Sequence, residues 1–262
     1  MKLKEVLLEI VVTAAVAALA ASGTTYLALH FLPHPILEES RVEKIARDYL
    51  IMNPEILIEM GKALDARQEV EQQSHAANSQ QKVISENAEA IFRSPVSYVA
   101  GNPNGDVTVV EFFDYNCGFC RKALPDVIKL VDNDKNVRLV LKELPIFGKD
   151  SVAAAKLTLA AKEQGKYFEM HQRLLTDPGR ANEQKALQIA KELGLDLAEL
   201  QKDAQAPEIE AALVETKGLA HNLQGERLST PYYLIGDRPL DGVSENFFDQ
   251  LKATVEEVRR KG

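Results

Sequence analysis

The sequence predicts an α/β fold in which a small β-sheet is interrupted by a block of helices and preceded by a helical extension. Short apolar runs predict three buried strands, at residues 107–113, 137–144 and 232–235. Between the second and third of these strands, residues 151–223 show helical spacing punctuated by glycine and proline. The only two cysteines, Cys117 and Cys120, stand just after the first strand, where the chain turns into a helix.

Composition agrees with this fold and narrows the class of protein. The 262 residues allow one or two domains plus extensions, and a hydrophobic fraction of 45% is enough for a packed core. The net charge of -8 comes from acidic and basic residues that are interspersed along the chain. A nucleic-acid-binding protein would show a basic face, so this class is disfavoured.

The N-terminal segment, residues 1–35, predicts export from the cytoplasm. Lysines precede an apolar stretch whose core, residues 11–29, contains no charged side chain. As a cleaved signal peptide, the stretch offers a small-residue cleavage site at residues 18–20. As an anchor, residues 10–32 are long enough to span a bilayer, with the lysines on the cytoplasmic side. We favour the anchor over the signal peptide and over a buried soluble helix; both export routes lead to an oxidising compartment.

Residues 36–93 predict a helical extension. Apolar residues recur along it at three- and four-residue spacing, at Val42, Ile45, Tyr49 and Met52 and again at Leu57, Met60 and Leu64. Asn53-Pro54 predicts a break, because proline fits the first turn of a new helix. Since short amphipathic helices are marginal alone, this stripe needs a partner surface. Self-association is favoured, and packing on the rest of the chain is the alternative.

Residues 94–262 predict the main domain, with a helical insertion at about residues 148–224. The elements predicted around the insertion are a loop, strand, helix, strand, strand, edge strand and closing helix, at residues 94–106, 107–113, 120–131, 137–144, 232–235, 239–242 and 244–260. The insertion is predicted to contain five helices, at residues 151–164, 167–175, 183–193, 197–203 and 208–222. Ser244 is the expected N-cap of the closing helix. A CxxC motif after the first strand of this order predicts a thioredoxin-like fold.

The motif Cys117-Gly118-Phe119-Cys120 predicts thiol–disulfide exchange. A strand-to-helix turn places the first sulfur at a helix N-terminus, where unpaired N–H groups and the helix dipole favour the thiolate that attacks disulfides. A structural bridge over so short a loop would constrain the unfolded chain very little. Zinc needs two further ligands, yet there is no second CxxC and the five histidines show no ligand spacing. The redox interpretation is favoured, with no cofactor and no metal expected.

Four stretches of the main domain form a pattern more specific than the CxxC motif alone, at residues 109–120, 141–145, 166–171 and 229–231. With them, the chain from residue 107 to the C-terminus resembles the DsbA family of exported thiol–disulfide oxidoreductases. The helical extension, including residues 49–55, resembles that of the ScsC-like branch. Members of that branch can form trimers through this segment, and some are disulfide isomerases.

The resemblance implies a role for each residue of the site. Cys117 matches the attacking cysteine of the family, and Cys120 matches the resolving cysteine. Pro231 matches a cis-proline that faces the active site, although an ordinary trans-proline at the start of a strand is the alternative. Thr230, Pro231 and Phe119 are expected to contact the client protein.

Glu111 lies inside the apolar first strand, six residues before Cys117. A carboxyl group buried there is expected to have a raised pKa and to pass on the proton of Cys120. The family carries an acidic residue at this position. The alternative is a glutamate at the rim of the domain with its carboxylate in water, since burying a charge is costly.

Several positions depart from the family pattern. Gly118-Phe119 replaces the Pro-His pair of strongly oxidising members; without a histidine to hold the thiolate, we expect a less oxidising disulfide. Ser229 stands where many relatives have glycine. The chain has no tryptophan, and Asn116 precedes the motif instead. His171 matches a helix position of the family, where a structural role is expected.

The sequence therefore predicts a periplasmic thiol–disulfide oxidoreductase, anchored in the inner membrane by residues 10–32 or soluble after cleavage. Disulfide isomerase or reductase activity is favoured over a DsbA-like oxidase by Thr230, the Gly-Phe pair and the oligomerising extension. Expected partners are cysteine-containing clients, a membrane reductase or oxidase, and further copies of the chain, including a trimer. A noncatalytic copper-binding or chaperone module is the alternative from another class, since thiolates bind Cu(I).

Overall fold

The computed structural model describes residues 39–261 together with residues 13, 14 and 17. The predicted export segment, residues 1–35, lies outside the described residues except for those three positions, which are helical. Among the residues described, no helix combines the length and the apolar character needed to cross a bilayer.

The N-terminal part is helical, as predicted. Its helices are α1 (Glu39–Met52), α2 (Glu55–Glu86) and α3 (Ala88–Phe92). The break at Asn53-Pro54 is confirmed, and the Asn53 side chain donates to the carbonyl of Tyr49 at 2.8 Å. The chain divides into two compact units between Gln72 and Gln73, within α2 and ahead of the predicted boundary at residue 94.

A five-stranded sheet forms the centre of the second unit. Its strands are β1 (Tyr98–Gly101), β2 (Val107–Phe113), β3 (Val137–Glu143), β4 (Tyr232–Ile235) and β5 (Arg238–Asp241). They lie in the order β1-β3-β2-β4-β5, with β2 and β3 parallel and the other pairs antiparallel. The prediction of a loop over residues 94–106 is wrong at β1, because these four residues pair with β3, Tyr98 opposite Leu141.

Helices cover the sheet and build the insertion. Helix α4 (Gly118–Asn133) follows β2, and α10 (Phe247–Lys261) closes the chain. The insertion consists of α5 (Lys149–Ala160), α6 (Tyr167–Thr176), α7 (Glu183–Glu192), α8 (Leu197–Asp203) and α9 (Pro207–Gln224). The predicted N-cap at Ser244 is wrong: the helix begins at Phe247, and the Ser244 hydroxyl donates to Gln250 Oε1 at 3.0 Å.

Side chains of β2 alternate between two cores, one on each face of the sheet. Val109 and Phe113 belong to the larger core, with α4, α10 and most of the insertion. Val110 and Phe112 belong to the smaller core, with Ile84 and Ile91 from the end of α2 and from α3. By the same alternation, Glu111 lies on the face of the larger core, beneath the CxxC helix.

Candidate active site

The two cysteines occupy the N-terminus of α4. The chain leaves β2 at Phe113, and the Cys117 N–H donates to the carbonyl of Asp114 at 3.0 Å to close the turn. Cys117 is the N-cap residue: its Sγ accepts from the Cys120 N–H at 3.4 Å. Both cysteines are free thiols. A thiolate at Cys117 therefore meets a backbone donor and the positive end of the helix dipole.

The surroundings lower the pKa of Cys117 to about 6, and the main cause is the hydrogen bond from the Cys120 thiol. Burial opposes this shift, while backbone N–H groups of Cys120 and Phe119 assist it. The nearby Thr230 hydroxyl also lowers the pKa of Cys117. In the described residues, this buried hydroxyl has no hydrogen-bond partner of its own. Cys117 is therefore largely ionised at neutral pH.

The pKa of Cys120 is shifted in the opposite direction to that of Cys117. It is fully buried, and burial raises its pKa far above the usual range, with further contributions from Cys117 and Glu111. Only one thiol of the pair is thus a nucleophile near neutral pH. This asymmetry matches the predicted division into an attacking and a resolving cysteine.

A pH series of alkylation tests this asymmetry. In the reduced protein, we expect the rate of Cys117 modification by iodoacetamide to rise with a midpoint near pH 6, well below the ordinary thiol value of about 8.5. Cys120 should stay unmodified over the same range, because its thiol remains protonated. Mass spectrometry of peptides distinguishes the two. A single midpoint at about pH 8.5 for both cysteines would contradict the structure.

Glu111 is buried, with 2% of its surface exposed, which excludes the alternative of a rim glutamate. The Tyr233 hydroxyl donates to its carboxylate at 2.9 Å. Burial raises the pKa of Glu111 to about 7, although the Tyr233 hydrogen bond acts in the opposite direction. A carboxyl group with this pKa can both take and return a proton near neutral pH.

The loop before β4 lies directly against the attacking sulfur. The Thr230–Pro231 peptide bond is cis, as predicted. The Cys117 thiol donates to the Thr230 carbonyl oxygen at 3.1 Å. Five of the six predicted residues therefore come together around the helix N-terminus, whereas Phe119 is 60% exposed on the first turn of α4.

Asp114 is a residue of the site that sequence reasoning missed. Its Oδ1 accepts from the Asn116 N–H and from the Ser151 hydroxyl, both at 2.7 Å, and its Oδ2 accepts from the Phe147 N–H at 3.0 Å. It thereby joins the CxxC turn to the start of the insertion. A short acidic residue directly after a buried strand is a signal for such a turn.

Asn116 and Arg121 hold the segment between α6 and α7 against the motif. Asn116 pairs with the main chain of Ala181 in both directions, Nδ2 to O at 2.8 Å and N to Oδ1 at 2.9 Å. Arg121 donates at 2.9–3.2 Å to three main-chain carbonyls, those of Leu175, Asp177 and Gly179. These partners are far away in sequence, so no local pattern could have indicated them.

His171 has the surroundings of a structural residue. It is buried among aromatic rings, with the Phe113 ring centroid 4.7 Å away, and its Nδ1 lies 3.4 Å from the Tyr115 hydroxyl. Burial lowers the pKa of His171 to about 3, so the ring is neutral. Within the part of the chain that the structure describes, no three metal-ligating side chains cluster.

Several solved structures share the fold of this chain. A thioredoxin-like oxidoreductase from Silicibacter pomeroyi DSS-3 is 45% identical, with 66% of this chain and 98% of that chain covered and a TM-score of 0.63. Proteus mirabilis ScsC in a compact conformation is 26% identical (85% and 99% covered, TM-score 0.60). A periplasmic thioredoxin-like protein from Salmonella enterica serovar Typhimurium is 25% identical (66% and 95% covered, TM-score 0.57).

A curated relative matches part of this chain within a longer protein. The Na(+)/H(+) antiporter NhaA 1 of Salinispora arenicola (strain CNS-205) is 37% identical over 102 residues, which are 38% of this chain. The chain spans only 16% of the length of that relative.

Two family models match separate parts of the chain. The copper resistance protein ScsC N-terminal domain matches residues 38–71. The DSBA-like thioredoxin domain matches residues 108–253, which is more than half of the chain and contains both cysteines, Glu111 and Pro231. The chain therefore belongs to the DsbA-like thioredoxin family of thiol–disulfide oxidoreductases, with an N-terminal domain of the ScsC type.

Proposed function

We propose that this protein is an exported disulfide isomerase or reductase whose Cys117 thiolate attacks the disulfides of client proteins. The observation that supports the exchange chemistry is the asymmetry of the two thiols, one with a pKa of about 6 and the other held protonated, while the isomerase direction is supported by the exposed apolar stripe of the N-terminal helices. Attack forms a mixed disulfide between Cys117 and the client. Cys120 then attacks the Cys117 sulfur and releases the client sulfur as a thiolate, or another thiol of the client attacks the client sulfur and releases Cys117 as the thiolate.

Glu111 is the proposed proton acceptor for Cys120. The resolving thiol must lose its proton before it can attack, and burial opposes this loss. A carboxylate with a pKa of about 7 on the adjacent strand is matched to the task. The Tyr233 hydroxyl keeps the carboxylate in place.

The client is proposed to lie along Thr230 and Pro231, with Phe119 at its flank. The Thr230 carbonyl is in contact with the attacking sulfur, so a client strand at this residue would bring its disulfide to Cys117. Phe119 offers an exposed aromatic ring in the first turn of the helix that Cys117 caps. Such an arrangement favours clients by main-chain shape and apolar contact rather than by charge.

Self-association through the N-terminal helices supports the isomerase direction. Each residue of the predicted stripe, from Val42 to Leu64, has more than half of its surface exposed. Burying these side chains between copies would be favourable. Joined active sites would meet one misfolded client at a high effective concentration. The proposed assembly is the trimer of the sequence-based prediction.

The proposed location is the periplasm, with residues 10–32 as an inner-membrane anchor and cleavage as the alternative. The charge-free run and its preceding lysines support export, as does the periplasmic relative from Salmonella enterica. In this compartment the isomerase needs a membrane reductase to keep Cys117 reduced. A DsbA-like oxidase would need an oxidase partner instead.

The isomerase proposal is tested by a charge placed in the apolar stripe. Leu57→Glu in the full chain in detergent is expected to dissociate the assembly and to lower reactivation of a disulfide-scrambled client at least about tenfold. Light scattering gives the mass, and recovered client activity in mildly reducing buffer gives the isomerase rate. Exchange of Cys117 with a small disulfide should be unchanged, since that reaction needs one active site.

Ala66→Glu is the matched control. It adds the same charge at an exposed position on the opposite face of the same helix, and it should leave both mass and reactivation unchanged. Poor reactivation by the unsubstituted chain, together with rapid oxidation of a reduced client, would sink the isomerase proposal and leave the oxidase.

A further inference from the structure

The Thr230 carbonyl oxygen has a hydrogen-bond donor that depends on the state of Cys117. The Cys117 thiol donates to this oxygen at 3.1 Å, while the same sulfur accepts from the Cys120 N–H. A thiolate has no proton to donate, and neither has a sulfur in a disulfide. The carbonyl thus keeps this donor only while Cys117 is a protonated thiol.

The rest of the loop determines where a client strand can pair. Gln224 Oε1 accepts from both the N–H and the hydroxyl of Ser229, at 2.7 and 3.0 Å. In the described part of the chain, no hydrogen bond is made by the Thr230 N–H. An antiparallel strand pairs with the N–H and the C=O of the same residue. At Thr230 the N–H is available, whereas the C=O is in use for as long as Cys117 is a protonated thiol.

We infer that the Thr230 carbonyl is an acceptor shared in turn by the Cys117 thiol and by a main-chain N–H of the docking client. Where Cys117 is still a thiol, the client amide displaces it as donor and thereby favours its ionisation; where Cys117 is already a thiolate, the carbonyl is free for the client. By linkage, the thiolate form of the enzyme binds an extended client more tightly than the thiol form. The inference rests on the client site of the proposed function. It adds that client binding at Thr230 favours the ionised form of Cys117.

The exchange step balances without any additional reductant. The Cys117 proton passes to solvent as the client N–H takes its place at the carbonyl. The thiolate then forms a bond to one client sulfur while the client S–S bond breaks, and the leaving sulfur departs as a thiolate with the bonding electrons. The mixed disulfide has no thiol proton, so the client keeps the carbonyl until Cys117 is released. In molecules in which the released Cys117 is protonated, its thiol donates to the carbonyl again and favours dissociation of the client.

Three other titratable groups lie near the Cys117 sulfur, and they are the same in both variants of the test below. They are the thiol of Cys120 on α4, the carboxyl of Glu111 on β2 and the hydroxyl of Tyr233 on β4. All three are present in every variant compared below, and none of them contacts the Thr230 carbonyl within hydrogen-bond distance in the described residues.

Two variants that lack the attacking sulfur test the hydrogen bond from position 117 to Thr230 separately from disulfide exchange. Cys117→Ser retains an O–H that can donate to Thr230, whereas Cys117→Ala has no donor. With a fluorescent extended peptide whose cysteine is replaced by serine, we expect Cys117→Ala to bind about three- to tenfold more tightly at neutral pH, the worth of one net hydrogen bond. Methylating the peptide N–H that pairs with Thr230 should abolish this difference. In the unsubstituted protein, saturating peptide should lower the midpoint of the Cys117 thiolate absorbance.

Each outcome decides the inference. Equal affinity of the two variants, or no shift of the thiolate midpoint, would mean that the oxygen accepts both donors at once, and the sharing would be overturned while the client site stands. Absence of peptide binding by either variant would overturn the client site at Thr230 and the inference with it. Exchange with small disulfides, measured separately, would still report on the redox function.

Discussion

Replacing Cys117 with serine is expected to lower the rate of exchange with a small disulfide at least about a thousandfold. The serine hydroxyl fits the same N-cap position and can accept from the Cys120 N–H, so the fold should be preserved. What is lost is the anion, because a hydroxyl group does not ionise near neutral pH as this thiol does. Consumption of the disulfide, followed by absorbance of the released thiol, measures the effect.

Cys120→Ser is the matched comparison and should have a different result. Its hydroxyl can replace the hydrogen bond that is the main cause of the low Cys117 pKa, so attack should continue. The mixed disulfide then has no resolving sulfur inside the protein and should accumulate as a band of higher mass on a non-reducing gel. If Cys120→Ser lost the attack and Cys117→Ser retained it, the two roles would be reversed.

The elements with strong local patterns were predicted well. Strand β2 has the predicted bounds, Val107–Phe113, because a continuous apolar run is required where both faces of the sheet are covered. The five helices of the insertion match their predicted ranges to within a few residues, since glycine and proline separate them. Local sequence and tertiary packing favour the same structure in these segments.

The elements that were missed depend on distant partners. Strand β1 has only four residues and ends at a glycine, and its hydrogen bonds come from β3, some forty residues along the chain. The active site follows the same rule. The motif identified Cys117 and Cys120, and the strand pattern identified the burial of Glu111. Its hydrogen bond from Tyr233 required the register of β2 against β4.

Glu111→Gln is expected to make the protein more stable above pH 7. The pKa of Glu111 rises from 4.5 to about 7 on folding, so the native state binds the proton more tightly than the unfolded state. The stability of the unsubstituted protein therefore falls as pH rises from 4.5 to about 7. Glutamine does not ionise, so its burial causes no such loss of stability, and its side-chain oxygen can still accept from the Tyr233 hydroxyl. Urea unfolding should show a gain of about 3 kcal/mol at pH 8 and almost none at pH 4.

The same substitution should slow resolution of the mixed disulfide about tenfold or more, because Cys120 loses its proton acceptor. Glu143→Gln separates the two effects. Glu143 is also buried on the sheet, with a pKa raised to about 7 by burial, but its partner is the Tyr167 hydroxyl. It should gain stability with no change in the resolution rate. Equal slowing by both variants would mean that resolution responds to stability alone, and Glu111 would have no role in proton transfer. Slowing by Glu111→Gln alone would mean that Glu111 accepts the proton of Cys120. The buried carboxylate would then lower the stability of the protein but serve the resolution step.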